Sequence, residues 1–198
     1  MRGEDRKNQI LKIAIRLFSR NGYYQTHVEH ILQEAKMGRG TFYIYFKNKD
    51  DLFVSILEKF LTDWEQTVLV ATASMEQDDL AGYFQELITR SFNFFKQNKD
   101  LCNIYLRIGP GINDVFEPYI NRFETRMLQY VINELQRGID RGFFPQTLDV
   151  ELIANILLGA HLRIAYYYFV LKKKKRGMTG VEHISEEFFN LIIRGLRY

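Results

Sequence analysis

Cysteine is almost missing from this chain: one, Cys102, stands among 198 residues. A lone thiol excludes an internal disulfide and points to a reducing, cytoplasmic compartment. Proline is nearly as scarce, with three, so little interrupts long helices. The N-terminal MRGEDRKNQ lacks the apolar core of a signal peptide. Metal-ligand spacing is lacking too, since His27 and His30 are too isolated from other ligands. No acid–base pair stands at diagnostic spacing, and Cys102 has no helix-paired base. No cofactor is expected, and an enzyme is the least favoured reading. An unbroken membrane span is also absent. Leu152 to Leu171 comes nearest, but it holds Asn155, His161 and Arg163. An arginine near mid-span costs about 2.5 kcal/mol or more, and a buried interface helix explains the same residues.

What is present is helical periodicity. Hydrophobic residues make up 46% and charged residues 26%, a globular balance with ample material for a core. The net charge of +3 conceals an asymmetry, because residues 1–50 carry ten Lys/Arg against five Asp/Glu. A basic head on a mildly acidic body suggests a polyanion partner for the head alone. Ile10, Ile13, Ala14, Leu17 and Phe18 fall on one helical face, and Asn21-Gly22 stops that helix. Thr26 and Glu29 have the spacing of a capping box, with Thr26 as N-cap. Val28, Ile31, Leu32 and Ala35 then form the stripe of a second helix. Its exposed N-terminus, where His27 lies, can offer N–H groups to a phosphate.

Lys36-Met37-Gly38 reads as a turn, followed by a short third helix from Arg39 to about Phe46. Phe42 and Phe46, four apart, should face inward. Arg39, Thr41, Tyr43 and Tyr45 are left on other faces. Gly40 weakens the helix by about 1 kcal/mol relative to alanine, a cost that close approach of backbone to DNA would explain. Asn48 caps a fourth helix with Asp50 and Asp51 in its first turn, and Lys49, set against the helix dipole, suits a phosphate. This is the pattern of a helix-turn-helix.

The run from Ile10 to Leu52 resembles the DNA-binding domain of TetR-family transcriptional regulators. Ala14, Phe18, Gly22, Tyr23, Thr26, Val28, Ile31, Ala35, Gly40, Thr41, Phe42, Tyr43, Tyr45, Phe46, Lys49 and Leu52 carry the likeness. The resemblance implies that Arg39, Gly40, Thr41 and Tyr45 approach bases or groove-edge phosphates. It implies that Thr26, Tyr43 and Lys49 clamp the backbone. Where the family usually has Gly-Val-Ser, this chain has Lys36-Met37-Gly38. Gly38 removes the usual serine cap, and Lys36 replaces the turn glycine with a side chain that can restore a backbone contact.

The expected fold is all-α with about nine helices: a DNA-binding domain over 1–48 and a helical ligand-binding and dimerisation domain over 49–198. The fourth helix should reach about Ala73, and a fifth should be capped near Asp78. A short one should span Leu101 to Ile108, Gly109-Pro110-Gly111 should break the chain, and another should run from Asp114 to Gly142. Leu148 to Leu171 and Gly180 to Leu196 should be the last two, with Thr179 and Glu182 as a capping box and Lys172 to Arg176 as a solvated loop. Those two helices are too apolar for a monomer surface. Leu152, Ile153, Ile156, Leu157, Ala160, Ile184, Phe188, Leu191, Ile192 and Gly195 are the expected homodimer interface. A dimer should read an inverted repeat in double-stranded DNA. Trp64, Phe95, Tyr105, Phe123, Met127, Tyr130, His161 and Tyr167 are candidate lining for a small hydrophobic or aromatic effector. The expected function is a ligand-responsive regulator, in the first instance a repressor. An interaction protein that binds DNA and recruits a protein partner is the alternative.

Overall fold

The computed structural model describes residues 3–70, 79–108, 114–171 and 180–196, and every regular element among them is helical. In chain order they are α1 (Gly3–Asn21), α2 (Val28–Ala35), α3 (Arg39–Tyr45), α4 (Lys49–Trp64), α5 (Leu80–Gln97), α6 (Lys99–Asn103), α7 (Glu117–Asp140), α8 (Val150–Ala165) and α9 (Val181–Leu196). Three of them run on into π-wound segments: α4 into Glu65–Val70, α6 into Ile104–Ile108 and α8 into Tyr166–Leu171. The Gly109–Gly111 break, the Lys172–Arg176 loop, the Thr179 cap and the Asp78 cap lie outside the described residues.

The helix ends follow from short-range chemistry. Gly22 sits at φ +80 after α1, and its N–H reaches the Phe18 carbonyl at 2.9 Å. Asn48 Oδ1 accepts the Asp51 N–H at 2.8 Å, and Asp51 in turn accepts the Lys47 N–H, so α4 has a reciprocal cap. The side chain of Asp79 caps α5 by accepting from Gly82 N. Asp149 caps α8 by accepting from Leu152 N. Helix α7 begins at Glu117, three residues later than expected, with Pro118 in its first turn, where a missing N–H is harmless. The expected Thr26 box does not form: His27 is the N-cap of α2 and makes no side-chain cap hydrogen bond.

The chain divides into two compact units that are not its sequential halves: 1–62 with 99–121, and 63–98 with 122–198. The first differs from the expected 1–48 head because α6 and residues near Phe116 pack with α1 and α4. Tyr23 and Phe53 set their rings 5.2 and 4.8 Å from that of Phe116. Asn103 donates to the Ser19 carbonyl at 2.8 Å, and Ser19 Oγ donates to Asp100 at 2.9 Å. The core of the second unit gathers Leu135, Ile139, Phe144 and Ala154, with Phe84, Ile153, Leu157 and Ile192 packed against them.

Candidate nucleic-acid interface and ligand cavity

Helix α3 is seven residues long, too short to be stable on its own. Two rings hold it: Phe42 is fully buried and Phe46 nearly so, with centroids 5.5 Å apart. Arg39, Gly40, Tyr43 and Ile44 are therefore exposed, and Thr41 and Tyr45 are half-buried. A Cβ added at Gly40 would meet nothing within 4 Å, so the chain's own packing does not require a glycine there. Arg39 pairs with Glu29 at 2.9 Å, but both side chains are largely exposed. Such a pair is weak and can give way to a stronger anion.

The turn before α3 shows what the departure from Gly-Val-Ser does. Lys36 adopts a left-handed conformation, φ 53 and ψ 45, and its N–H and that of Met37 close the α2 end on Gln33 and Leu32 carbonyls. A glycine would take that conformation without strain, whereas a lysine holds it at a cost of about 1 kcal/mol. Its side chain is exposed. Gly38 is the N-cap of α3 with no side chain to offer.

Two expected phosphate contacts are placed otherwise. Thr26 is fully buried, with its hydroxyl 2.8 Å from the Gly22 carbonyl and 3.3 Å from that of Leu17. It ties the α1–α2 connection internally and has no face toward solvent. Lys49 turns inward, donating to the carbonyls of Tyr23 (3.1 Å) and Thr26 (3.2 Å) with its ammonium 4.2 Å from the Tyr23 ring centre. Desolvation lowers its pKa. An ammonium has three N–H groups, and the two carbonyls take two of them. Tyr23 donates to Asp50, and burial together with that bond pushes the phenol's pKa up. His27 and His30 are both exposed, with rings 5.3 Å apart.

The second unit holds a half-open cavity of about 130 Å³. Its wall is mostly apolar, from Val68, Phe84, Leu87, Met127, Leu135, Phe144, Leu158 and Phe188 among others, with polar groups on Trp64, Ser91, Tyr130, Glu134 and His161. The serine links two of these: Ser91 Oγ lies 2.8 Å from His161 Nε2, and Trp64 Nε1 donates to it at 3.4 Å. His161 stacks on Phe92 at 4.1 Å. Burial lowers its pKa to about 3, so the imidazole is neutral. Burial raises the Glu134 carboxyl, against the opposing pull of Arg137 and hydrogen bonds from Tyr83 and Tyr130. Among the described residues, no lysine or arginine lines the cavity.

Of the candidate lining residues, Trp64, Met127, Tyr130 and His161 are on this wall. The others are not. Phe123 lies edge-on to Trp64 and Phe95 tilts against His161, both one layer back. Tyr105 belongs to the first unit, stacked on Phe60 and donating to the Ile120 carbonyl. Tyr167 is exposed. Ser91 and Glu134, which sequence reasoning passed over, carry one faint signal: each is a polar residue inside an aromatic or apolar helical stripe.

The residues of the expected interface divide between an open face and a buried face of α8 and α9. Leu152, Ile156 and Leu191 are exposed, as is Gly195, and Ala160 is half-buried. Ile184 and Phe188 are buried in their own unit, Leu157 and Ile192 line the cavity, and Ile153 packs on the core. The open stripe instead continues from Leu152 and Ile156 through Gly159 and Arg163 to Tyr167. Among the described residues, Val150–Leu171 alone is long and apolar enough to span a bilayer, and 22% of that window is buried within the chain.

Comparison with known proteins places these features. Residues 10–56 match the family model for bacterial regulatory proteins of the tetR family. The fatty acid metabolism regulator protein of Bacillus subtilis is 26% identical, over 95% of this chain and 94% of its own length. A putative TetR-family transcriptional regulator from Syntrophomonas wolfei superposes with a TM-score of 0.80 at 27% identity, covering 98% of both chains. FadR from Bacillus subtilis in complex with stearoyl-CoA shares the fold, with a TM-score of 0.79 at 23% identity over 96% of this chain and 98% of that one. The helix-turn-helix is thus similar in sequence to that of the tetR family, and the whole length is similar in fold to a TetR-family transcriptional regulator.

Proposed function

We propose that this protein is a ligand-responsive DNA-binding transcriptional regulator, a cytoplasmic repressor and not an enzyme, which binds an inverted-repeat operator as a homodimer. The outer face of α3 carries this reading: an arginine, a glycine and a tyrosine project to solvent from a helix fixed by two buried phenylalanines. That surface offers a cation and a phenolic donor beside bare backbone, which suits phosphate and base edges in a major groove. Arg39 reads a base and Tyr43 holds a phosphate, while Lys36 supplies the contact that Gly38 lacks. The exposed stripe of α8, with Leu191 of α9, is covered by a second copy of the chain, which sets two α3 helices against half-sites about 34–36 Å apart.

The effector presents a small hydrophobic group to the protein, and the half-open apolar cavity favours it over recruitment of a protein partner. The stearoyl-CoA bound by the similar regulator suggests an acyl-CoA. The apolar wall would take the acyl group, and the described lining, without lysine or arginine, would leave the phosphates outside. A cavity of about 150 Å³ accommodates benzene, so a short or aromatic acyl group fits better than a long one. Ligand in the cavity biases the state in which both heads engage DNA, by its differential affinity for the two states.

The test uses purified protein on fragments of DNA from upstream of its own gene, across a salt series. The expected result is protection of an inverted repeat that weakens steeply with salt and is altered by a short or aromatic acyl-CoA. Absence of salt-dependent protection on every fragment would overturn the reading. Tyr43→Phe should weaken binding on all sequences alike, whereas Arg39→Ala should also relax preference at one base pair.

A further inference from the structure

Ile44 is 72% exposed, and no large apolar side chain among the described residues is more so. An isolated exposed apolar residue ordinarily needs no account. This one stands on α3 itself, one helical turn after Gly40 and so on the same face. At Gly40 the helix carries no Cβ and has open space before it, so the backbone can come close to a partner. An apolar side chain on the next turn then meets whatever lies in the floor of that partner. Around the pair stand Lys36, Arg39 and Lys47, all exposed, which favours a polyanion over an apolar protein groove. The apolar group that a DNA major groove displays on its floor is the C5-methyl of thymine.

We propose that Ile44 reads thymine through that methyl group, adding an apolar specificity contact to the polar ones. The inference rests on the DNA-binding reading above. It makes Ile44 a specificity residue and predicts a thymine in each half-site at the position facing the second turn of α3.

Full-length protein is used to select duplexes from a randomised library, and affinity is measured by fluorescence anisotropy at fixed salt. Each thymine of the selected duplex is then replaced in turn by deoxyuridine, which removes only the methyl. The expected result is one position per half-site at which the change weakens binding about fourfold, the size of one methyl-sized apolar contact. Ile44→Ala, with an unchanged melting temperature, should bind the thymine duplex less tightly and be indifferent to that replacement. Ile44→Val should keep the sensitivity. Neutral replacement at every thymine would overturn the proposal, as would an equal loss in Ile44→Ala. If no duplex is enriched at all, it is the DNA-binding reading that fails.

Discussion

At the scale of single residues, two glycines inside helices should respond oppositely to the same substitution. Gly40→Ala meets open space and should raise helix stability by about 1 kcal/mol, while DNA affinity should fall, because in the proposed complex the added methyl group would stand between backbone and groove. Gly138 of α7 faces the Phe144 ring, into which a Cβ would run, and Gly138→Ala should cost about 1–3 kcal/mol as the ring is displaced. Thermal or denaturant unfolding of both variants, with anisotropy for the first, checks the contrast. Lys36→Gly should relieve the left-handed strain and stabilise by roughly 0.5–1 kcal/mol, yet reduce the salt dependence of operator binding by about one phosphate contact. His161 gives a pH signature. Its folded pKa of about 3 lies below the ordinary value of 6.5, so the unfolded chain binds the proton more readily. Its contribution is fully present above about pH 6.5 and is lost as pH falls toward 3. His161→Gln should flatten the stability profile of urea unfolding over that window.

At the scale of elements, the caps and phases decide how much can be read from sequence. The Asn48 cap is legible because an asparagine with two acids in the turn after it has one good local solution, and Asn48→Ala should cost about 1 kcal/mol. The Thr26 cap is misleading because burial outweighs a local pattern: the hydroxyl serves the Gly22 carbonyl inside the fold. Lys49 misleads for a related reason, since Tyr23, Thr26 and Lys49 meet only once α1, α2 and α4 have packed. In α8 and α9 the spacing of apolar residues shows that both helices have more than one apolar face. It does not show which face turns inward, because Leu152–Ile156 and Ile153–Leu157 obey the same i, i+4 rule. Among the described residues, three π-wound continuations, at Glu65, Ile104 and Tyr166, rotate the residues beyond them to a new facing and have no signature in composition.

At the scale of the molecule, the helical class, the helix-turn-helix and the aromatic character of the cavity are all readable, whereas the division into units is not. Residues 99–121 join the first unit through contacts such as Asn103 with Ser19, which lie 84 positions apart in sequence. The exposed stripe predicts an assembly: Leu152→Glu with Leu191→Glu should leave the fold intact and abolish the dimer in sedimentation, and operator binding should fall to that of single half-sites. The composition of the first unit also bears on how such a protein can be rebuilt. Because that unit is drawn from two separate stretches of chain, it cannot be lifted out by one cut. A fragment ending at Thr62 would leave Tyr23 and Phe53 without the Phe116 ring, and Ser19 without Asn103. A chimaera meant to give this protein another regulator's DNA sequence preference should therefore exchange only the outward-facing residues of α3, or carry residues 99–121 across together with the head.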